Sequence, residues 1–286
     1  VICYYYIMIK MNNRDLITRI NDLIDQELEE LRQAPPGSHI DIILKECLMD
    51  RDYANKEVPS NRWLFNSFPD LIDANPEGIV VRSEFLLLRY AGNKEFDFGE
   101  DYFDYTASII ERMPKKVVYR LCDYNPEDLS FLDQEYNSRG AQRLIEQKEL
   151  INLDKRVIKQ IENTGRDVQV LVPYVVFPEE FETLRDNFTG KVGTMLEVPS
   201  NLMEIDKFDA DFYVFGPSDL TKNMYGGIDR NSQRYGQVNN DLIIPLVKEC
   251  MDKIDVPIYL VKNLVGLEHP NAINVYMPSQ LVGGKK

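Results

Sequence analysis

From Asn13 to Gln33 the apolar residues Leu16, Ile17, Ile20, Leu23, Ile24, Leu28 and Leu31 recur every three or four positions, and Pro35-Pro36-Gly37 ends the pattern. That spacing predicts an amphipathic helix with an acidic outer face. A second, shorter helical stretch, Ile40–Met49, leads into a polar segment closing at Pro59-Ser60-Asn61. The texture then changes to short apolar runs alternating with helical periodicity. The runs are Arg62–Asn66, Gly78–Val81, Lys116–Arg120, Val168–Val172, Val192–Glu197, Phe212–Phe215, Pro257–Val261 and Ile273–Met277. Between them lie amphipathic stretches such as Tyr102–Arg112, Asp154–Glu162, Pro178–Asn187 and Asp241–Lys253. Strands alternating with helices build parallel sheets from βα units, and eight strands predict an α/β fold of the (β/α)8 TIM-barrel type. An open doubly wound sheet would read similarly over the first half.

Length agrees with this reading, since a barrel of about 250 residues uses most of the 286 available. The expected division is a non-native or unstructured leader over 1–11, a helical extension over 12–60 and the barrel over 61–286. Residues 1–9 form an apolar run too short to span a bilayer and without the basic start of a signal peptide. Charge narrows the function further: 33 Lys and Arg against 47 Asp and Glu give a net charge of -14. A chain this acidic lacks the footprint of a nucleic-acid or anionic-membrane binder, so an anionic ligand has to be met by local positive charge. The four cysteines are scattered without a CxxC pair, which fits reduced thiols in a cytoplasmic protein. With two histidines and no HExxH pattern, oxygen atoms are the expected ligands of any metal.

Barrel chemistry sits at the carboxyl ends of the strands. The second predicted strand leads into Arg82 and Glu84, the third ends in Arg120 with Asp123 beyond it, and the fifth ends in Glu197. The sixth runs through Gly216-Pro217-Ser218 to Asp219, with Arg230 further on, and Arg139 and Arg143 follow the third. Carboxylates from neighbouring strand ends can hold Mg2+, which takes one or two of them and completes its octahedron with water and ligand oxygens. Arginines around the same mouth can grip a phosphate or carboxylate bidentately. No GxGxxG or Walker loop follows any strand, so dinucleotide and P-loop sites lose support.

Several of these segments, in order, resemble the PEP-utilising enzymes, the group that includes PEP synthase (pyruvate, water dikinase), pyruvate phosphate dikinase and enzyme I of the sugar phosphotransferase system. Glu77-Gly78-Ile79-Val80-Val81-Arg82-Ser83-Glu84-Phe85-Leu86 resembles their "EGIGLxRxEFL" segment, and Val118-Tyr119-Arg120-Leu121-Cys122-Asp123 resembles "VxRxxD". Arg139-Gly140-Ala141-Gln142-Arg143 is similar to the "RGAAR" of PEP synthase. Met195-Leu196-Glu197-Val198-Pro199-Ser200-Asn201 and Phe215-Gly216-Pro217-Ser218-Asp219-Leu220-Thr221-Lys222 resemble "MxEIPSN" and "IGSNDxTQ", with Ile228-Asp229-Arg230 after them. The resemblance implies a PEP/pyruvate-binding barrel in which Glu197 and Asp219 hold Mg2+. It implies that Arg82, Arg120 and Arg230 clamp the transferring phosphoryl group, and that Arg139 and Ser218 contact the substrate.

Departures from the family pattern bear on turnover. The family has an acid/base Cys at the end of strand seven, where this chain has Val261-Lys262, so Lys262 is the candidate acid/base. Ser218 stands in place of Asn, and the helix between strands seven and eight is missing. Gly37-Ser38-His39 bears only a faint likeness to the family's phosphohistidine segment, and His39 reads as a helix-start or surface residue. The expected function is therefore a stand-alone, PEP synthase-like phosphotransferase barrel acting on PEP or pyruvate with a separate phosphohistidine-carrier protein, homodimerisation being left open. Two alternatives stand beside it: a binding or regulatory pseudoenzyme, and a lyase acting on a pyruvate-like substrate through a Mg2+-stabilised enolate.

Overall fold

The computed structural model describes residues 62–66, 76–84, 86, 100–123, 138–228, 237, 240–277 and 280. The leader, the helical extension with His39, and Arg230 lie outside these residues. All eight predicted strands are present: β1 (Trp63–Asn66), β2 (Gly78–Arg82), β3 (Lys116–Arg120), β4 (Asp167–Val172), β5 (Val192–Leu196), β6 (Tyr213–Phe215), β7 (Ile258–Val261) and β8 (Ala272–Tyr276). Each pairs in parallel with the next, and β8 closes on β1 through Trp63 and Leu64. Seven helices are described: α1 (Glu100–Ile110), α2 (Gly140–Glu146), α3 (Lys148–Asn163), α4 (Pro178–Arg185), α5 (Pro199–Met203), α6 (Pro217–Met224) and α7 (Ile243–Met251). The connection from β7 to β8 has only a 3-10 turn, Lys262–Leu264, where a barrel ordinarily carries a helix.

Strand residues alternate between two apolar layers, as the two-residue period requires. Val81, Val117, Tyr119, Val172, Leu196 and Phe215 face the surrounding helices in the larger core. Trp63, Phe65, Val80, Val118, Leu171, Met195, Phe212, Val214, Tyr259, Val261 and Val275 fill the interior. Trp63 and Phe212 both stack edge-on against Tyr259, at 5.0 and 5.6 Å between ring centroids. Space for these rings comes from glycines: a Cβ on Gly78 would lie 2.6 Å from the Trp63 ring, and one on Gly193 would lie 2.4 Å from the Phe212 carbonyl oxygen. The aromatic plug seals the amino-terminal end of the barrel. The same inward positions one or two steps further along β2, β3 and β5 become Arg82, Arg120 and Glu197.

The helices begin and end for local reasons. Pro178, Pro199 and Pro217 each open a helix, where the missing N–H costs nothing. α3 starts at Lys148, six residues before the predicted Asp154, because Leu150, Ile151 and Leu153 already bury its inner face.

Candidate active site

Register sets the first contact of the site. Arg82 and Arg120 are Cα partners across β2 and β3, and so place two guanidinium groups side by side at the carboxyl end. Carboxylates answer them. Glu84 accepts a hydrogen bond from Arg120, Asp123 lies 3.8 Å from the same guanidinium, and Arg82 packs over the Phe65 ring at 5.3 Å. Arg120, Glu84 and Asp123 are all buried. Burial works against the charge of Arg120, yet Glu84, Asp123 and Glu197 raise its pKa above the ordinary arginine value. For Glu84 the balance runs the other way: burial raises its pKa despite Arg120 and Arg82.

Arg139 precedes α2 and crosses the mouth. Its Nε and one terminal nitrogen donate to the two oxygens of Asp123 at 3.0 and 2.9 Å, a bidentate fork. The same guanidinium reaches Asp219 at 3.4 and 3.5 Å and lies 4.3 Å over the Tyr174 ring. Its position depends on Gly140, whose φ of +59° and absent Cβ let the chain pass Tyr174, where a Cβ would come within 2.4 Å of the tyrosine's own.

Glu197, one residue beyond β5, is 1% exposed and turned into the mouth. The Tyr174 N–H donates to its Oε1 at 2.7 Å, and Asn223 donates to its carbonyl oxygen at 3.0 Å. Asn223 in turn accepts from the Tyr174 hydroxyl at 3.2 Å. Tyr174 holds this arrangement with a left-handed φ of 42°, a conformation that costs a non-glycine residue about 1–3 kcal/mol. A Cβ on Gly216, the residue after β6, would sit 2.9 Å from both the Cβ and a carboxylate oxygen of Glu197, so glycine is needed there. Burial, followed by the charges of Asp219 and Asp123, pushes the Glu197 carboxyl up to about 8 in spite of Arg120 and Arg139.

Asp219 occupies the first turn of α6, where the helix dipole favours negative charge. Beside it the Ser218 hydroxyl accepts from Lys262 Nζ at 2.8 Å. Lys262 has a left-handed φ of 59°, and Gln280 donates to its carbonyl oxygen at 2.9 Å. Val261 points into the barrel, whereas Lys262 is exposed at the rim.

The fold thus brings Arg82, Arg120, Arg139, Glu197, Ser218, Asp219 and Lys262 to one end of the barrel. Arg230 is not among the described residues. Tyr174, Asn223 and the buried Asp154 behind β3 were not singled out by the sequence. A separate cavity of about 430 Å³, lined by Lys248, Met251, Asp252, Gly266, Leu267, Glu268 and His269, lies on the outer wall beside the helix-free β7–β8 connection. Among the described residues no group of three or more His, Cys, Asp or Glu side chains forms a self-contained metal cage, and no helix is long and apolar enough to cross a membrane.

Comparison with known proteins bears on the same region. No curated protein matches the chain significantly. Solved structures with a similar course include the citrate synthase SbnG, in a variant form, with 15% identity, 76% of this chain and 86% of that one covered, and a TM-score of 0.35. A citrate lyase from Burkholderia xenovorans LB400 shows 9% identity, coverage of 79% and 76%, and a TM-score of 0.40. An HpcH/HpaI aldolase from Desulfitobacterium hafniense DCB-2 shows 12% identity, coverage of 65% and 85%, and a TM-score of 0.32. The family model of the PEP-utilising enzyme PEP-binding domain matches residues 51–257, a stretch that contains every strand end described above except those of β7 and β8. The chain belongs to the PEP-binding barrel domain family of the PEP-utilising enzymes.

Proposed function

We propose that this barrel binds PEP or pyruvate at its carboxyl-terminal mouth, with Mg2+, and takes part in phosphoryl transfer between PEP/pyruvate and a separate phosphohistidine-carrying protein. The observation that carries the reading is the convergence of Arg82, Arg120 and Arg139 with Glu197 and Asp219 at one strand-end mouth in a member of this family. The donor set suits a hard divalent cation. Asp219 is close enough for its charge to oppose the ionisation of Glu197, and Mg2+ needs no more than one or two carboxylates. When bound, Mg2+ would supply Lewis-acid stabilisation of charge on the pyruvate oxygens.

The chain's own residues do the rest. Arg82 and Arg120 offer adjacent forks to the phosphoryl oxygens, in a buried setting where such charge-assisted bonds gain strength. Arg120 Nε is buried without a hydrogen-bond partner, so one donor of this guanidinium is not committed to another protein group. Arg139, anchored on Asp123, is poised to turn its second edge from Asp219 to a ligand anion. Arg230 completes the clamp in this proposal. Lys262, held on Ser218 at the mouth's rim, is the candidate proton donor to the enolate carbon. A second reading, recognition without turnover, is favoured by the end of β7, where the inward side chain is Val261 and Lys262 is exposed.

Calorimetric titration with oxalate and with PEP, with and without Mg2+, tests the reading. Binding of either should require Mg2+. Glu197→Ala should weaken it by more than the ~10–100-fold typical of losing an outer-shell partner. Metal-independent binding, or none to wild type, would remove the proposal.

A further inference from the structure

Asp154 lies on α3, in the apolar layer between that helix and the barrel wall, and is 1% exposed. Its buried neighbours on the helix are Leu150, Ile151, Leu153, Val157, Ile158 and Ile161. A carboxylate in such a layer is costly unless it makes good hydrogen bonds, and its bonds here both come from the end of β3. The Tyr119 hydroxyl donates to Oδ1 at 2.8 Å, and the Cys122 N–H donates to Oδ2 at 2.9 Å. The fully buried Ser83 hydroxyl, just beyond β2, lies close enough to favour the charged carboxylate but makes no geometrically formed hydrogen bond. Tyr102 of α1 and Glu84 also lie within electrostatic reach.

Each of these contacts sits next in sequence to a residue of the mouth. Ser83 separates Arg82 from Glu84, Tyr119 precedes Arg120, and Cys122 precedes Asp123, on which Arg139 is forked. Strand alternation sends Tyr119 and Arg120 to opposite sides of the wall, so what holds Tyr119 and Cys122 from behind also sets Arg120 and Asp123, their chain neighbours, in front. We propose that Asp154 is a positioning residue: from behind the sheet it holds the carboxyl end of β3 through Tyr119 and Cys122, and so fixes Arg120 and Asp123 against Glu84 and Arg139. A leucine would fill the space but leave the buried Tyr119 hydroxyl and Cys122 N–H without an acceptor, and each orphaned donor costs stability.

The test uses Asp154→Leu and Asp154→Asn in the full chain, read by thermal unfolding, by amide hydrogen exchange over residues 78–86 and 116–123, and by calorimetry with Mg2+ and oxalate. Asp154→Leu should melt below wild type because two buried donors lose their acceptor. Its amides over 120–123 should lose more protection than those of the rest of the barrel, and its oxalate affinity should fall by about tenfold or more, as for an outer-shell partner. Asp154→Asn should return both close to wild type, since its amide can accept from Cys122 and donate to the Tyr119 oxygen. A folded Asp154→Leu with wild-type exchange and affinity overturns the proposal. If that variant does not fold, Tyr119→Phe decides in its place: unchanged exchange over 120–123 overturns the positioning role, and faster exchange supports it. The affinity readout rests on the PEP/pyruvate reading, whereas the exchange readout does not. Wild type that ignores oxalate therefore sinks the former reading and leaves exchange to judge Asp154.

Discussion

Burial makes Asp154 a stronger proton holder than a free aspartate, and the groups that oppose this, the Cys122 N–H, the Tyr119 hydroxyl and Ser83, are neutral donors, so its pKa rises to about 7. In the unfolded chain the same group titrates near ~3.9. Between those values the folded protein holds a proton that the unfolded chain has released. Stability from Asp154 is therefore fully present below about pH 4, falls by about 1.4 kcal/mol per pH unit towards pH 7, and is flat above it. Of the groups facing it, Tyr102, Tyr119 and Cys122 have pKa values pushed well above their ordinary values by burial and stay neutral across this window. Glu84, raised by burial, is present in wild type and variant alike and largely cancels in the difference. Urea unfolding of wild type and Asp154→Asn at pH 5, 6, 7 and 8 should show wild type losing stability relative to the variant up to about pH 7. A difference that does not change with pH would contradict the assignment. None of this is visible in the sequence, where Asp154 reads as one more polar residue in a helix. Its role comes from a helix phase that turns it inward onto the end of β3.

At the scale of elements, β7 decides between turnover and recognition. Alternation puts Tyr259 and Val261 inside, and the left-handed turn at Lys262 carries its amine to Ser218 on α6. If Lys262 is the acid/base, wild type with Mg2+ in deuterated water should exchange the methyl protons of pyruvate. Lys262→Ala should lose that exchange by about 100-fold or more, the usual worth of a positioned proton-transfer group. Exchange at the wild-type rate in the variant clears Lys262 of this duty, and silence in both proteins alongside oxalate binding supports recognition without turnover. The strands themselves were legible because barrel strands are buried on both faces and read as short apolar runs. Helix boundaries were less so. The apolar period of α3 continues upstream to a break at Gln147, between two helices, with no proline or glycine to announce it.

Across the whole molecule, position in the fold explains which parts of the site could be read in advance. Arg82, Arg120, Glu197 and Asp219 are charged residues at strand ends, a combination that draws attention by itself. Tyr174 and Asn223 are neutral, and what they contribute is a backbone N–H at an unusual φ and a bridge to Glu197, which only the folded chain reveals. The charge of the chain has a consequence at the same scale. A net charge of -14 surrounds an arginine-lined mouth, so a ligand anion is repelled at long range and attracted only once it reaches the barrel end. Added salt shortens the range of surface repulsion, the Debye length falling from about 30 Å at 0.01 M to about 8 Å at 0.15 M, while buried contacts are screened far less. The association rate of PEP with the Mg2+-loaded protein, followed by stopped-flow, should therefore rise as ionic strength increases over this range, the reverse of the fall expected when net charge steers an anion inwards. A rate that drops with salt would mean that the field at the mouth is set by the local arginines and reaches beyond the acidic surface.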